Sequence, residues 1–191
     1  MKVTTNLRTS AAAALLFQAV LFAADKTIDV TKSLLTIHVG KTGAFSMAGH
    51  EHWIDAPIAH GQFSEGAAAK VEFSVDARKL KVRPGKEPAK DVPKVQEAMQ
   101  TEVLESEKYP EILFRSTKVT STGAQSWEVT GTLSLHGVSK PIAVGVRRQG
   151  DIYTGSARIK QTDFGIKPIS AGGGAVKVKD ELEITFQVHA K

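Results

Sequence analysis

The chain contains no cysteine, which excludes disulfides, zinc ribbons, redox CxxC pairs and cysteine nucleophiles. It also lacks a marked excess of one charge. There are 25 basic and 20 acidic residues, a formal charge of +5, too weak an imbalance to indicate a nucleic-acid partner. No internal repeat or low-complexity tract stands out. What the 191 residues do contain is 41% hydrophobic and 24% charged side chains, an ordinary soluble globular composition. The length fits one domain, and the composition excludes a polytopic membrane protein, a collagen-like chain and a wholly disordered one.

The first residues follow a different pattern from the rest. Lys2 and Arg8 precede an apolar run from Ala11 to Ala24 that is interrupted by Gln18. A charged start followed by a short apolar run is the pattern of a secretory signal peptide. The run is shorter than the roughly 20 residues a membrane-spanning helix needs. Residues 1–24 are therefore expected to be a signal peptide, cleaved near Ala23 or Ala24. Residues 25–191 are expected to form one exported domain, periplasmic or secreted, with no transmembrane segment.

From Lys26 onward the repeating signal is alternation. Val71, Phe73, Val75 and Ala77 alternate with Glu72, Ser74, Asp76 and Arg78. Trp127, Val129, Leu133 and Leu135 alternate with Glu128, Thr130, Thr132 and Ser134, and Leu182, Ile184, Phe186 and Val188 with charged and polar residues. Leu34–Val39, His52–Phe63, Glu111–Thr120, Ile142–Arg148 and Ile152–Gln161 are further strand candidates. Successive strand side chains point to opposite faces, so each segment has one buried side. An all-β fold follows, with about eight strands in one antiparallel sheet that closes into a barrel or splits into a sandwich. One stretch departs from alternation. Between Pro93 and Pro110, Val95, Met99 and Val103 recur at helical spacing. This predicts one amphipathic helix of roughly four turns, capped by Asp91 and packed on an end or side of the sheet.

Several segments resemble the YceI-like family of periplasmic polyisoprenoid-binding proteins. They are Thr27-Ile-Asp29 with Ser33-Leu-Leu-Thr-Ile37, Lys108-Tyr-Pro-Glu-Ile-Leu-Phe-Arg-Ser116, Val129-Thr-Gly-Thr-Leu-Ser-Leu-His-Gly-Val-Ser-Lys-Pro141, Thr162-Asp-Phe-Gly-Ile166 and Val178-Lys-Asp-Glu-Leu-Glu-Ile184. Gln161 stands where the family often has Arg, and Gly49-His50-Glu51-His52 is similar to a subgroup carrying a Gly-His-x-His element. The resemblance implies an extended lipocalin-like antiparallel β-barrel with an added helix. It also implies an apolar tunnel for a long isoprenoid or similar amphiphilic lipid, carried or stored without catalysis. On that reading the tunnel candidates are Ile54, Ile58, Val71, Phe73, Val75, Phe114, Trp127, Val129, Leu133, Leu135, Phe164, Leu182, Ile184 and Phe186. The same residues equally suit a filled β-core, because periodicity does not separate core from tunnel. No cofactor is implied, and a homodimer is left open.

The alternative is a metal-binding protein or metal-dependent enzyme using His50 and His52, which share one face of a strand. His60 has the same parity but lies roughly 33 Å from His50 on a straight strand at about 3.3 Å per residue. Neither the metallo-β-lactamase nor the cupin pattern fits, since Asp55 falls one place late and Ala44, Ala56 and Pro57 occupy ligand or glycine positions. His136 and His189 alternate with apolar residues and are expected to face solvent. Ser33, Ser64 and Ser134 lie outside any Gly-x-Ser-x-Gly elbow. Asp180 shares parity with Leu182 and Ile184, which places it at the tunnel mouth unless a turn resets the register. Lys167, Lys177 and Lys179 around Gly172-Gly-Gly174 form either a solvated basic loop or a contact for an anionic head group.

Overall fold

The computed structural model describes residues 25–44, 50–66, 68–85, 88–171 and 175–191. The expected signal peptide at 1–24 and the glycine run at 172–174 lie outside the described residues. Eight long strands follow the alternating segments. They are β1 (Leu34–Thr42), β2 (His52–Ser64), β3 (Lys70–Asp76), β4 (Glu111–Gly123), β5 (Ser126–Leu135), β6 (Val138–Gln149), β7 (Ile152–Lys160) and β8 (Val176–His189). Each pairs antiparallel with its neighbours in sequence, and β8 returns to pair with β1 through Ile184↔Ile37 and Phe186↔Leu35. The sheet therefore closes into an up-and-down barrel. Closure buries the apolar face inside and leaves no long edge unpaired.

Tight hairpins fix the register on one side. Gly123↔Ser126, Leu135↔Val138 and Gln149↔Ile152 each close a two-residue loop. In the second, His136 and Gly137 have φ of 52° and 75°, as a type I′ turn requires. The alternation ends there, so His136 does not continue the solvent-facing parity expected of it.

The ends of the barrel differ. At one end lie the β1–β2 loop, the long β3–β4 insertion, the β5–β6 hairpin and the β7–β8 loop. We call this the helical end. The insertion contains α1 (Val92–Ala98), which runs into a wider π turn over Met99–Val103. The helix is thus shorter than the four turns expected. The π turn is closed by the Leu104 N–H donating to the Met99 carbonyl, and Glu105, at φ 43°, then reverses the chain. Asp91 makes no side-chain cap hydrogen bond; its carboxylate instead lies 3.8 Å from Lys94. Two glutamines fasten the helix to the segment after β3. Gln96 accepts from the Val82 N–H and donates to the Leu80 carbonyl, and Gln100 donates to the Ala77 and Leu80 carbonyls. Val95, Met99 and Val103 face the barrel interior.

The opposite end carries the β2–β3, β4–β5 and β6–β7 turns. Residues Lys26 and Thr27 lengthen its wall by pairing with Phe63 and Gln62. Ile28 donates its N–H to the Gly61 carbonyl and bridges to Ala190. A Cβ at Gly61 would lie 2.5 Å from Ile28 Cδ1, so the missing side chain admits Ile28 to the interior.

Candidate functional site

The barrel encloses a cavity of about 530 Å³. That is within the roughly 300–1,000 Å³ of pockets that hold drug-sized ligands. Its wall is built by strand parity. Leu35, Ile37 and Val39 of β1, Ile142, Val144 and Val146 of β6, and Ala157 and Ile159 of β7 join it. All the apolar residues expected to form a tunnel line it except Ile58 and Phe164. Ile58 lies beside the register shift in β2 and is buried in a cluster with Ile28, Phe63 and Tyr153. Phe164, only 1% exposed, sits on the 3₁₀ turn Gln161–Phe164 and packs in the core outside the lumen. Helix residues Val95, Ala98 and Met99 complete the wall at the helical end. The sequence pattern missed them as lumen residues because an amphipathic stripe does not reveal what it covers.

Two wall aromatics rest on glycines. A Cβ at Gly131 would lie 2.5 Å from Phe114 Cζ, and one at Gly155 would lie 2.5 Å from Phe186 Cζ. Both rings therefore lie over the backbone of the neighbouring paired strand.

Polar groups gather at the end away from the helix. Glu65, just past β2, accepts hydrogen bonds from Lys26 Nζ at 2.9 Å, Arg148 Nη1 at 2.9 Å and the Tyr153 hydroxyl. Tyr153 is buried, and the Arg148 guanidinium lies 5.6 Å from its ring centroid. The Tyr153 hydroxyl, then Lys26 and Arg148, hold the Glu65 carboxyl below its ordinary range despite opposing desolvation. Burial, reinforced by the neighbouring carboxylate, pushes the Tyr153 phenol well up. Sequence reading did not find this cluster. Its members are separated by 39, 83 and 88 positions from Glu65, and no local spacing signals such a contact.

The histidines do not converge. His50 precedes β2 and is exposed, whereas His52 is half-buried on the cavity wall. His38 stacks on the exposed Trp53 with ring centroids 4.8 Å apart and faces Glu51 at 3.2 Å. His60 is exposed. Among the described residues, no group of three or more His, Asp or Glu is placed to hold a metal ion. His136 is a correction to the solvent-facing expectation. Its side chain is 11% exposed, under Tyr109 at 4.3 Å, with Nε2 2.8 Å from Glu105 and Nδ1 3.3 Å from the Phe164 carbonyl. Asp180 lies within a register irregularity between Val178 and Leu182 and accepts from Thr162 N and Oγ1, so it caps the 3₁₀ turn. Lys167, Lys177 and Lys179 are exposed and off the cavity wall. Among the described residues no helix is long and apolar enough to cross a membrane.

Comparison with known proteins agrees with this architecture. The family model described as a YceI-like domain matches residues 26–190. A UPF0312 protein of Pseudomonas syringae pv. tomato is 38% identical over 94 residues, covering 44% of this chain and 47% of the relative. A UPF0312 protein of Azotobacter vinelandii is 37% identical over 70 residues, or 31% and 36% of the two chains. The chain thus spans about half the length, or less, of the curated relatives it matches. Among solved structures, BcnA of Burkholderia cenocepacia superposes with a TM-score of 0.59 at 20% identity, covering 86% of this chain and 99% of that one. That likeness is one of fold. The family model spans the whole barrel, and this chain belongs to the YceI-like family.

Proposed function

We propose that this chain is an exported, non-catalytic binding protein that holds a long-chain isoprenoid or similar amphiphile in its barrel, for transport or storage. The observation that carries the proposal is the apolar cavity of about 530 Å³. Residual cavity volume costs about 24 cal/mol per Å³, so filling this lumen with side chains would stabilise the protein by on the order of 10 kcal/mol. That is comparable with the whole stability of a domain. A barrel that keeps its lumen against such a gain is built for a guest. Each buried methylene contributes about 0.8 kcal/mol before entropic losses, which gives useful affinity without any directional contact. Tail chemistry is then tolerated, and selectivity comes from lumen length and polar contacts at its end. The charged start and short apolar run of residues 1–24 support export, to the periplasm or beyond.

The two tryptophans offer a test. Trp127 lines the cavity, whereas Trp53 is 40% exposed on the outer surface. In delipidated protein titrated with 1-dodecanol, the emission change is expected to persist in Trp53→Phe and vanish in Trp127→Phe. A saturable change that follows Trp53 instead would refute the lumen as the binding site.

A further inference from the structure

We propose that residues 92–109 form a lid over the helical end of the lumen, and that His136 and Glu105 are its latch, closed in acid and released as pH rises. The inference rests on the lumen being the binding site. Four observations support it.

The first is how the segment is attached. Its two roots meet at one place, where β3 and β4 pair through Asp76↔Glu111 and the Ala77 N–H donates to the Pro110 carbonyl at 2.8 Å. The bonds of Gln96 and Gln100 go to Ala77, Leu80 and Val82, next to that root. Glu105 instead reaches away from it, to His136 on the β5–β6 hairpin. The segment is thus hinged on one side and latched on the other. The second is what it covers. Val95, Ala98, Met99 and Val103 line the cavity, yet α1 itself holds no fully buried residue. A lightly packed element of this kind opens before the rest of a fold does.

The third is strain. Among the described residues, Glu105 and His136 are the non-glycine residues with positive φ, at 43° and 52°. Such conformations persist only where the surroundings hold them, and here the two residues hold each other.

The fourth is the proton count. His136 Nε2 lies 2.8 Å from the Glu105 carboxylate and Nδ1 lies 3.3 Å from the Phe164 carbonyl. Both partners are acceptors. A neutral imidazole has one N–H and satisfies one of them, whereas the imidazolium satisfies both. Closure therefore takes up a proton and is favoured by acid, and an imidazole ordinarily titrates between about pH 5 and 8. The ring also packs against Tyr109 at 4.3 Å, and Lys108 lies 3.8 Å from Glu105. Asp163 and Lys167, on either side of Phe164, are exposed. A closed latch retains the guest, and an open one lets it exchange through the helical end.

The test follows release of 1-dodecanol, a probe without charge, by stopped-flow fluorescence. Trp53→Phe is the parent, because it leaves Trp127 on the cavity wall as the sole tryptophan and removes the ring on which His38 stacks. Release is expected to speed up roughly tenfold from about pH 5.5 to about pH 8.5, as loss of one charge-assisted hydrogen bond implies. With His136→Asn or Glu105→Gln added, release should be fast and nearly independent of pH. Asparagine tolerates the left-handed turn, so the hairpin survives. His52 also lies on the cavity wall, so these variants, rather than the parent's slope, assign the effect to the latch. Amide exchange, corrected for its intrinsic pH dependence, reads the lid without a guest. Protection over residues 92–109 should fall as pH rises while that of β7 holds. A release rate indifferent to pH, the same slope in His136→Asn as in the parent, or unchanged lid protection would overturn the latch and leave the lumen reading intact. Failure of dodecanol to bind at any pH would overturn both.

Discussion

The ring of Phe114 occupies the space into which residue 131 would place its first side-chain carbon: a Cβ on Gly131 would lie 2.5 Å from Cζ and 2.7 Å from Cε2. The two residues lie on paired strands, next to the Phe114↔Leu133 match. The absence of a side chain at Gly131 thus leaves room for the ring of Phe114.

Gly131→Ala is therefore expected to lower stability by about 1–3 kcal/mol, the usual range for overpacking. The ring must move and the Arg115 carbonyl, also 2.5 Å from the added carbon, must give way. Phe114→Leu in the same background should restore only part of the loss, because the carbonyl clash remains. The measurement is the urea midpoint at constant m; an unchanged midpoint for Gly131→Ala would contradict the packing described.

The Glu65 network makes stability depend on pH. Its carboxyl is held below the ordinary value of 4.5, so the stabilisation is fully present above that value. It fades as pH falls through the lowered folded value. The difference in unfolding midpoint between the native protein and Glu65→Gln should accordingly shrink between about pH 7 and about pH 3. A difference that stayed constant over that interval would mean the carboxylate charge is not what stabilises the contact.

Tyr153 gives the matching prediction at high pH. Its phenol is raised above the ordinary 10.0 by burial and by Glu65. Phenolate absorbance near that ordinary value should therefore be the same in the native protein and in Tyr153→Phe. If the substitution removed half of the absorbance change there, the buried, carboxylate-bonded tyrosine would be wrong.

His136 ties the β5–β6 hairpin to the turn after the helix. Its φ of 52° is strained for a non-glycine residue, a cost of about 1–3 kcal/mol. Replacement by glycine relieves that strain but removes the Nε2 contact with Glu105 and the Nδ1 contact with Phe164. A hydrogen bond to a charged group contributes about 1.5–3 kcal/mol, so His136→Gly is expected to destabilise modestly and His136→Ala by more. Thermal unfolding that ranked alanine above glycine would contradict this order.

The strands were legible in the sequence because a half-buried strand imposes a period of two, and β3, β5 and β8 from Glu181 onward keep it. The inward face was legible for the same reason, as Val71, Phe73, Leu133 and Ile184 illustrate, but not that it surrounds a cavity, because a filled core has the same period. The helix was legible in kind but not in length. Its apolar stripe continues to Val103, while Gln100 reaches back to the Ala77 and Leu80 carbonyls and the backbone widens at Met99, contacts that periodicity does not encode. His136 was misread because alternation cannot announce the residue at which a hairpin turns. The Glu65 cluster was invisible, since closure of the barrel alone brings Lys26, Glu65, Arg148 and Tyr153 together.

Native mass spectrometry tests the central claim most directly. The chain, expressed with its residues 1–24 in a bacterial host and purified gently, would be weighed intact, after organic extraction and after chelation. The account predicts a stoichiometric added mass that passes into the organic phase and is indifferent to chelator. A bare mass that accepts no amphiphile and rises only with added zinc, falling again when His50 and His52 are replaced, would contradict it.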